Sequence, residues 1–165
     1  GLNSDNLTTG WLALTHSNED NGCVAVIPNS HHKGMLKHVD SYGEDNILTR
    51  GQEVDDIDKS TAVNLVLRPG QMSFHGPWLV HGSLPNNSDS RRIGLALQSY
   101  MGDDVRPAHG EHHVMHIQGT PIAKEFTEVP RPTEAYSEEN QLLREVANKA
   151  FSDVLYQGAK IKRNM

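Results

Sequence analysis

The chain has 165 residues, a formal net charge of −6 and a single cysteine. This length suits one domain with a sizeable core, so we predict that residues 1–165 form a single domain. The negative charge argues against nucleic acid or an anionic membrane as the main partner, and no stretch approaches the ~20 apolar residues of a membrane span. One cysteine excludes an intrachain disulfide, which fits a reducing compartment and predicts a cytoplasmic location.

Short strands separated by turns are predicted along the first hundred residues. Apolar or alternating runs bounded by Gly, Pro and Asn predict strands at residues 10–15, 23–27, 62–67, 72–74 and 92–101. Several short strands with no helical segment between them indicate an all-β sandwich or barrel. The acidic stretch 35–60 is predicted to be a long loop, and at a barrel mouth it could form part of a substrate lid.

The pattern changes period near the C-terminus. Residues 119–133 contain several prolines and are predicted to be an extended crossing. Glu138 and Glu139 suit a first helical turn, apolar residues then recur every three or four positions, and Gly158 is a stop signal. The sequence therefore predicts an amphipathic helix at 137–158 that packs on the outside of the sandwich.

Some residues with reactive or metal-binding side chains receive a mainly structural interpretation. Cys23 opens an apolar run and is expected to be buried packing rather than a nucleophile. His75 either faces a pocket mouth or forms a hydrogen-bonded turn. Four histidines could chelate zinc or nickel if they lay on a helix, but Pro107 and Gly110 oppose one there, so their role stays open: His109, His112, His113 and His116.

A histidine and an arginine pair carry the clearest chemistry. His81 is followed ten and eleven residues later by Arg91 and Arg92, which stand at the head of an apolar strand. Imidazole suits Fe(II), and non-heme iron oxygenases use two histidines and one carboxylate on one face of the metal. The planar fork of arginine matches a carboxylate with two hydrogen bonds and keeps its charge.

Period-two alternation chooses between the two arginines. Along a strand, Ile93, Leu95, Leu97 and Ser99 fall on one face, and Arg92, Gly94, Ala96, Gln98 and Tyr100 fall on the other. The first face is typical of packing. The second, with an arginine beside very small residues, is typical of a cavity wall. We therefore predict that Arg92 points into a pocket and Arg91 points out.

Four blocks resemble the phytanoyl-CoA dioxygenase family of Fe(II)- and 2-oxoglutarate-dependent oxygenases. They occur in the family's order and cover more than half of the chain: Trp11–Leu14, Glu19–His31, Leu67–Gln71 and His81–Gly94. The resemblance implies a jelly-roll fold, also called a double-stranded β-helix or cupin-like fold. It also implies that His81 is an iron ligand, that Arg92 clamps the far carboxylate of 2-oxoglutarate, and that Ser83 and Trp11 are further contacts to that cosubstrate.

The other half of the family's iron site is missing from its expected place. The family has a His-x-Asp pair shortly upstream of the block at Trp11, and the ten residues before Trp11 contain no histidine. The chain is therefore interpreted as an N-terminally truncated fragment. The only His-x-Asp, His38-Val39-Asp40, follows the block that ends at His31, so we interpret it as part of the loop and not as the ligand pair.

The resemblance implies hydroxylation of a small organic substrate with O₂, Fe(II) and 2-oxoglutarate, without naming the substrate. Two alternatives remain open: a cupin-like metal-binding module that does not use 2-oxoglutarate, and a non-catalytic fragment. An unpaired strand edge would also favour homo-oligomers.

Overall fold

The computed structural model describes residues 1–42, 50–55 and 57–159, and for Ser99 the backbone alone. The described elements, in chain order, are β1 (Leu7–Ala13), β2 (Val24–Val26), β3 (His38–Asp40), β4 (Gln52–Val54), β5 (Val63–Asn64), β6 (Met72–His75), β7 (His81–Ser83), β8 (Gly94–Met101), β9 (His113–Val114), β10 (Thr127–Glu128) and α1 (Glu138–Leu155). Short 3-10 turns lie at Ser30–Lys33 and Lys59–Thr61. The prediction of a mainly β chain with one C-terminal helix is confirmed.

The described residues divide into two compact units. The first, which we call the sheet unit, contains Asp5–Asp40 and Gln52–Met101. The second, the helix unit, is formed by the described parts of Gly1–Ser4, Ser41–Gly51 and Gly102–Met165. A single domain across residues 1–165 stays a prediction.

Two three-stranded antiparallel sheets form most of the sheet unit. The first has the order β6-β1-β8 and the second the order β5-β2-β7. All five strands predicted from the sequence are present, although β5 is much shorter than the predicted 62–67. The strand β7, which contains His81, was missed because three residues that include Gly82 are too few to show an alternating pattern.

One face of the first sheet carries the side chains of Trp11 and Ala13. Directly paired residues in a sheet share a face, and Trp11 pairs with Ser73 in β6 and with Ala96 in β8. Ala13 lies on the same face as Trp11, two residues along β1, and is completely buried. We call this the inner face of the first sheet.

The opposite face of the first sheet is more exposed than the sequence predicts. Leu97 is half-buried, but Ile93 and Leu95 are 43% and 47% exposed, so their prediction as packing residues is wrong. Phe74 on this face is 67% exposed. Within the sheet unit, β8 contacts β1 and no other described element.

A β-bulge in β8 changes the predicted alternation. Gly10 pairs with Leu97, but Thr8 pairs with Tyr100, so β8 contains one more residue than β1 over this interval. Tyr100 therefore lies on the face of Leu95 and Leu97. The prediction that it shares a face with Arg92 is wrong, because simple alternation does not anticipate an inserted residue.

The stretch 35–60 is not one long loop. Its residues His38–Asp40 form β3, which pairs antiparallel with β4. The sequence does not reveal these strands because their residues are mostly polar and exposed. Residues 43–49 and residue 56 of the predicted loop lie outside the described residues.

The helix unit contains α1 and a two-stranded sheet. β9 and β10 pair in parallel, so part of the predicted crossing at 119–133 is a strand. Ser137 precedes α1 and accepts a hydrogen bond from the backbone N–H of Asn140, which makes it the N-cap. Within the unit, α1 contacts β9, and packing of α1 on the outside of a sandwich stays a prediction. In the described part of the chain, no helix is long and apolar enough to cross a membrane.

Candidate active site in the sheet unit

His81 is the first residue of β7 and pairs with Val26 of β2. Its imidazole Nδ1 lies 2.8 Å from the carbonyl oxygen of Leu79. Because a carbonyl can only accept, Nδ1 carries the proton and donates it. The lone pair of the neutral ring is then on Nε2, and the ring is exposed, so His81 presents the nitrogen that a metal ion requires.

The backbone just before His81 is held by the segment 27–30. The N–H of Ile27 donates to the carbonyl oxygen of Val80 at 2.9 Å. The N–H of Val80 donates to the side-chain oxygen of Ser30 at 2.8 Å. Ser30 is buried, so its hydroxyl lies inside the sheet unit rather than at its surface.

Arg92 lies over the indole ring of Trp11. Its guanidinium carbon is 5.5 Å from the ring centroid, which is a cation–π geometry. Since Trp11 lies on the inner face of the first sheet, the guanidinium lies on that side as well. Arg92 is half-buried and Arg91 is exposed.

Gly94 makes this arrangement possible. A Cβ at Gly94 would overlap the indole ring of Trp11, so the ring lies directly against the backbone of β8. No larger residue leaves room for the indole there, which explains why a glycine opens this strand.

Thr15 fixes the backbone on both sides of Arg92. Its hydroxyl donates to the carbonyl oxygen of Arg91 at 2.9 Å and accepts from the N–H of Ile93 at 2.8 Å. The backbone on either side of Arg92 is therefore hydrogen-bonded to one side chain.

Ser83 lies two residues after His81 on β7, so both side chains lie on the same face of the second sheet. The paired residues on this face are Val24 and Val26 of β2, and Val24 is buried. Ser83 itself is exposed. Its predicted contact with a cosubstrate stays a prediction.

Two further polar side chains occupy the inner face of the first sheet. Ser73 pairs with Trp11, and His75 pairs with Thr9. The His75 ring contacts the His81 ring, with centroids 4.8 Å apart, and so joins the two sheets. Burial lowers the pKa of His75, and the neighbouring His81 lowers it further.

The Oγ of Ser73 and the Nδ1 of His75 are buried and form no hydrogen bond among the described residues. Orphaned buried polar atoms are uncommon and often mark a functional site. The sequence left the role of His75 open and did not single out Ser73. Because Ser73 lies two residues before His75 on one strand, period-two alternation could have placed both on the same face.

The described residues do not complete a metal site. Among them, no three His, Cys, Asp or Glu side chains come together closely enough to hold a metal ion. His38 is exposed on β3, and the carboxylate of Asp40 accepts a hydrogen bond from Gln52 at 3.1 Å. His38 and Asp40 therefore do not join His81 in a site of three ligands.

The histidine tract of the helix unit forms local contacts. His112 Nε2 lies 3.1 Å from the carbonyl oxygen of His109. His113 Nε2 lies 2.9 Å from a carboxylate oxygen of Glu111. This segment contains β9 and not a helix, in agreement with the presence of Pro107 and Gly110.

Cys23 is 3% exposed, which confirms the expectation of a buried residue. Burial raises the pKa of its thiol and the charge of Glu19 raises it further, while Arg92 exerts a smaller opposing effect. A thiol with a raised pKa is a poor nucleophile at neutral pH, so Cys23 is suited to packing.

Comparisons with known proteins place these residues in context. The family model described as phytanoyl-CoA dioxygenase matches residues 2–94. Over 135 residues the chain is 32% identical to bovine peroxisomal phytanoyl-CoA dioxygenase, covering 78% of the chain and 37% of that protein. The rat peroxisomal protein is 36% identical over 132 residues, covering 76% of the chain and 36% of that protein. The chain thus spans just over a third of the length of these two relatives.

A solved structure described as the non-heme monooxygenase ThoJ in its apo form resembles most of the chain. The TM-score is 0.82 at 28% identity, with 95% of this chain and 56% of that chain covered. The chain, which is mainly β with one helix near its C-terminus, therefore has a fold similar to part of that monooxygenase.

Proposed function

We propose, since the chain belongs to the phytanoyl-CoA dioxygenase family, that His81 is an Fe(II) ligand and Arg92 the carboxylate clamp for 2-oxoglutarate. The predicted cofactors Fe(II) and 2-oxoglutarate suit an oxygenase of this family, and a relative 28% identical over 134 residues is described as a probable alpha-ketoglutarate-dependent hypophosphite dioxygenase. For this chain, the proposed reaction is the hydroxylation of a small organic substrate with O₂.

The orientation of the His81 ring carries the proposal. A metal-binding histidine usually donates its second ring N–H to a carbonyl or carboxylate, which sets the tautomer and the direction of the ring. The 2.8 Å contact from His81 Nδ1 to the Leu79 carbonyl has this form. A surface histidine with no such function needs no partner of this kind.

Arg92, Trp11 and Ser83 would hold the cosubstrate. Arg92 can pair with a carboxylate through two hydrogen bonds at the edge of its guanidinium while the group lies over the ring of Trp11. Ser83 shares a face of β7 with His81, so its hydroxyl could reach a ligand held beside His81. Ser73 Oγ and His75 Nδ1 are buried without a hydrogen-bond partner among the described residues, so each could form a hydrogen bond with a polar group of a bound ligand.

Fe(II) bound at His81 would supply the activation of O₂ for attack on a C–H bond. The role proposed for the residues of the sheet unit is to bind and orient the 2-oxoglutarate. A site with two histidines and one carboxylate needs two ligands besides His81. We propose that a His-x-Asp pair outside the 165-residue chain provides them.

The two sheets of the sheet unit would then belong to a jelly roll. Their antiparallel strands and the ring contact between His75 and His81 support this architecture. Self-association through an exposed sheet edge is part of the same proposal, since unpaired edge strands can pair with another copy.

The clamp is tested by exchanging each arginine of the pair for lysine. Arg92→Lys removes the two-point contact with a carboxylate, so 2-oxoglutarate should bind about 10-fold to 100-fold more weakly by calorimetry. Arg91→Lys is the matched control, because Arg91 is adjacent and exposed, and it should bind as the wild type does. An equal loss in both variants would refute the assignment of Arg92.

The iron ligand is tested by succinate formation. The 165-residue chain should bind Fe(II) weakly and convert little 2-oxoglutarate, because a single imidazole cannot hold the metal tightly. The same chain joined to an upstream segment that contains His-x-Asp should gain both properties, and His81→Ala in that longer protein should remove them. Strong turnover by the 165-residue chain alone would contradict this ligand set and would make His38 and Asp40 candidate iron ligands again.

A further inference from the structure

The peptide unit between Leu79 and Val80 contacts two side chains at once. Its carbonyl oxygen accepts the proton of His81 Nδ1 at 2.8 Å. Its N–H, which belongs to the same rigid plane, donates to the hydroxyl oxygen of Ser30 at 2.8 Å. The two side chains are therefore connected through one planar group.

Ser30 is itself held firmly. It is 2% exposed and begins the 3-10 turn Ser30–Lys33. Its backbone N–H donates to the carbonyl oxygen of Ile27 at 3.2 Å, and the N–H of Ile27 donates to the carbonyl oxygen of Val80 at 2.9 Å. The hydroxyl thus has little freedom to move away from the peptide.

A hydrogen bond at one end of a peptide group affects the other end in two ways. It fixes the rotation of the plane, and so the direction in which the carbonyl oxygen points. It also polarises the group, which makes the carbonyl a stronger acceptor. Both effects favour the form of His81 in which Nδ1 carries the proton and Nε2 is free.

We propose that Ser30 is a positioning residue that sets the tautomer of His81 through the Leu79–Val80 peptide. The tautomer is a property of the metal-free chain. Its consequence for metal binding rests on the proposed function, because only a ligand role makes the free Nε2 necessary. Ser30 touches neither metal nor cosubstrate in this account.

The tautomer can be measured directly by nitrogen-15 NMR of the histidine side chains in the metal-free chain. At about pH 8.5, well above the ordinary pKa of histidine, a neutral ring gives different Nδ1 and Nε2 shifts according to which nitrogen carries the proton. His81→Gln identifies the His81 signals. The wild-type chain should show a protonated Nδ1 at His81.

Three variants distinguish an effect of Ser30 on the tautomer of His81 from a general effect on the stability of the fold. Ser30→Ala should lose the protonated-Nδ1 pattern, whereas Ser30→Thr, which keeps the hydroxyl, should retain it. Thr15→Val is the matched control: Thr15 also accepts a backbone N–H at 2.8 Å, but from Ile93 and not from the peptide beside His81. It should leave the His81 signals unchanged.

Ser30→Cys keeps the shape of the side chain with a somewhat larger and weaker acceptor atom, and it replaces Ser30→Ala if that variant does not fold. It should shift the His81 signals partway toward the other tautomer. A protonated Nε2 in the wild type would overturn the proposal. So would a wild-type pattern in a folded Ser30→Ala or Ser30→Cys chain. Because no metal is present, a failure of the proposed iron site would leave these results intact, and the converse also holds.

Discussion

His81 and Arg92, the two side chains proposed to hold ligands, are fixed in different ways. His81 begins a strand of three residues and is oriented by hydrogen bonds that pass through one peptide group. Arg92 precedes a strand of eight residues and is oriented by the face of Trp11 and by the two bonds of Thr15. Hydrogen bonds therefore set the orientation of the His81 ring, whereas packing against the Trp11 ring sets much of the orientation of Arg92.

If packing against Trp11 orients Arg92, a larger side chain at Gly94 should have the largest effect on cosubstrate binding. In Gly94→Val the new side chain must displace the Trp11 ring and with it the guanidinium. We expect a loss of about 1–3 kcal/mol in the free energy of unfolding and about 10-fold to 100-fold weaker 2-oxoglutarate binding. Urea unfolding and calorimetry measure the two quantities.

Gly82→Ala is the matched control for stability. Gly82 is also a strand glycine, in β7, but an added Cβ there has no neighbour within 4 Å. The variant should unfold at the urea concentration of the wild type or slightly above it. If Gly94→Val behaved in the same way, the close contact with Trp11 would not be a constraint.

Removing the aromatic face should have a smaller effect on the same clamp. In Trp11→Leu the guanidinium loses a cation–π contact of about 0.5–2 kcal/mol, so 2-oxoglutarate should bind about twofold to 30-fold more weakly. The nitrogen-15 signals of His81 should not change, because the peptide that orients that ring is untouched. A change in those signals would show that the two side chains are not held independently.

The smallest effect on binding is expected in the helix unit. Ser137→Ala removes the N-cap bond of α1 and should lower the free energy of unfolding by about 1 kcal/mol. Affinity for 2-oxoglutarate should stay within the error of the wild type. A substantial loss of affinity would mean that α1 contributes to the site, contrary to the location of every proposed ligand residue in the sheet unit.

The sequence predicted the long or apolar strands well and the short polar ones poorly. The runs around Trp11 and Leu95 have clear alternation, and both are strands. β3, β4 and β10 have two or three mostly polar and exposed residues, and their pairing depends on backbone hydrogen bonds that a hydrophobic pattern does not report. The helix was predictable because eighteen residues keep one period and an N-cap serine precedes them.

The candidate site was predictable only where its residues belong to a recognisable spacing. His81 and Arg92 stand eleven residues apart and could be singled out in the sequence. Ser30 and Thr15 could not be linked to them, because each contact joins residues fifty or more positions apart. Serine and threonine are too common for their function to be identified without the fold.

The bulge between the Thr8 and Gly10 pairs of β1 has a consequence for comparing relatives of this chain. A bulge accommodates one extra residue with only local disruption of the ladder, so insertions and deletions should be tolerated around Gln98. They should be absent between Arg92 and Ala96, where one residue more or less would turn the guanidinium to the opposite face. An alignment that runs without gaps through β8 therefore assigns residues beyond Leu97 to the wrong face whenever a relative lacks the bulge.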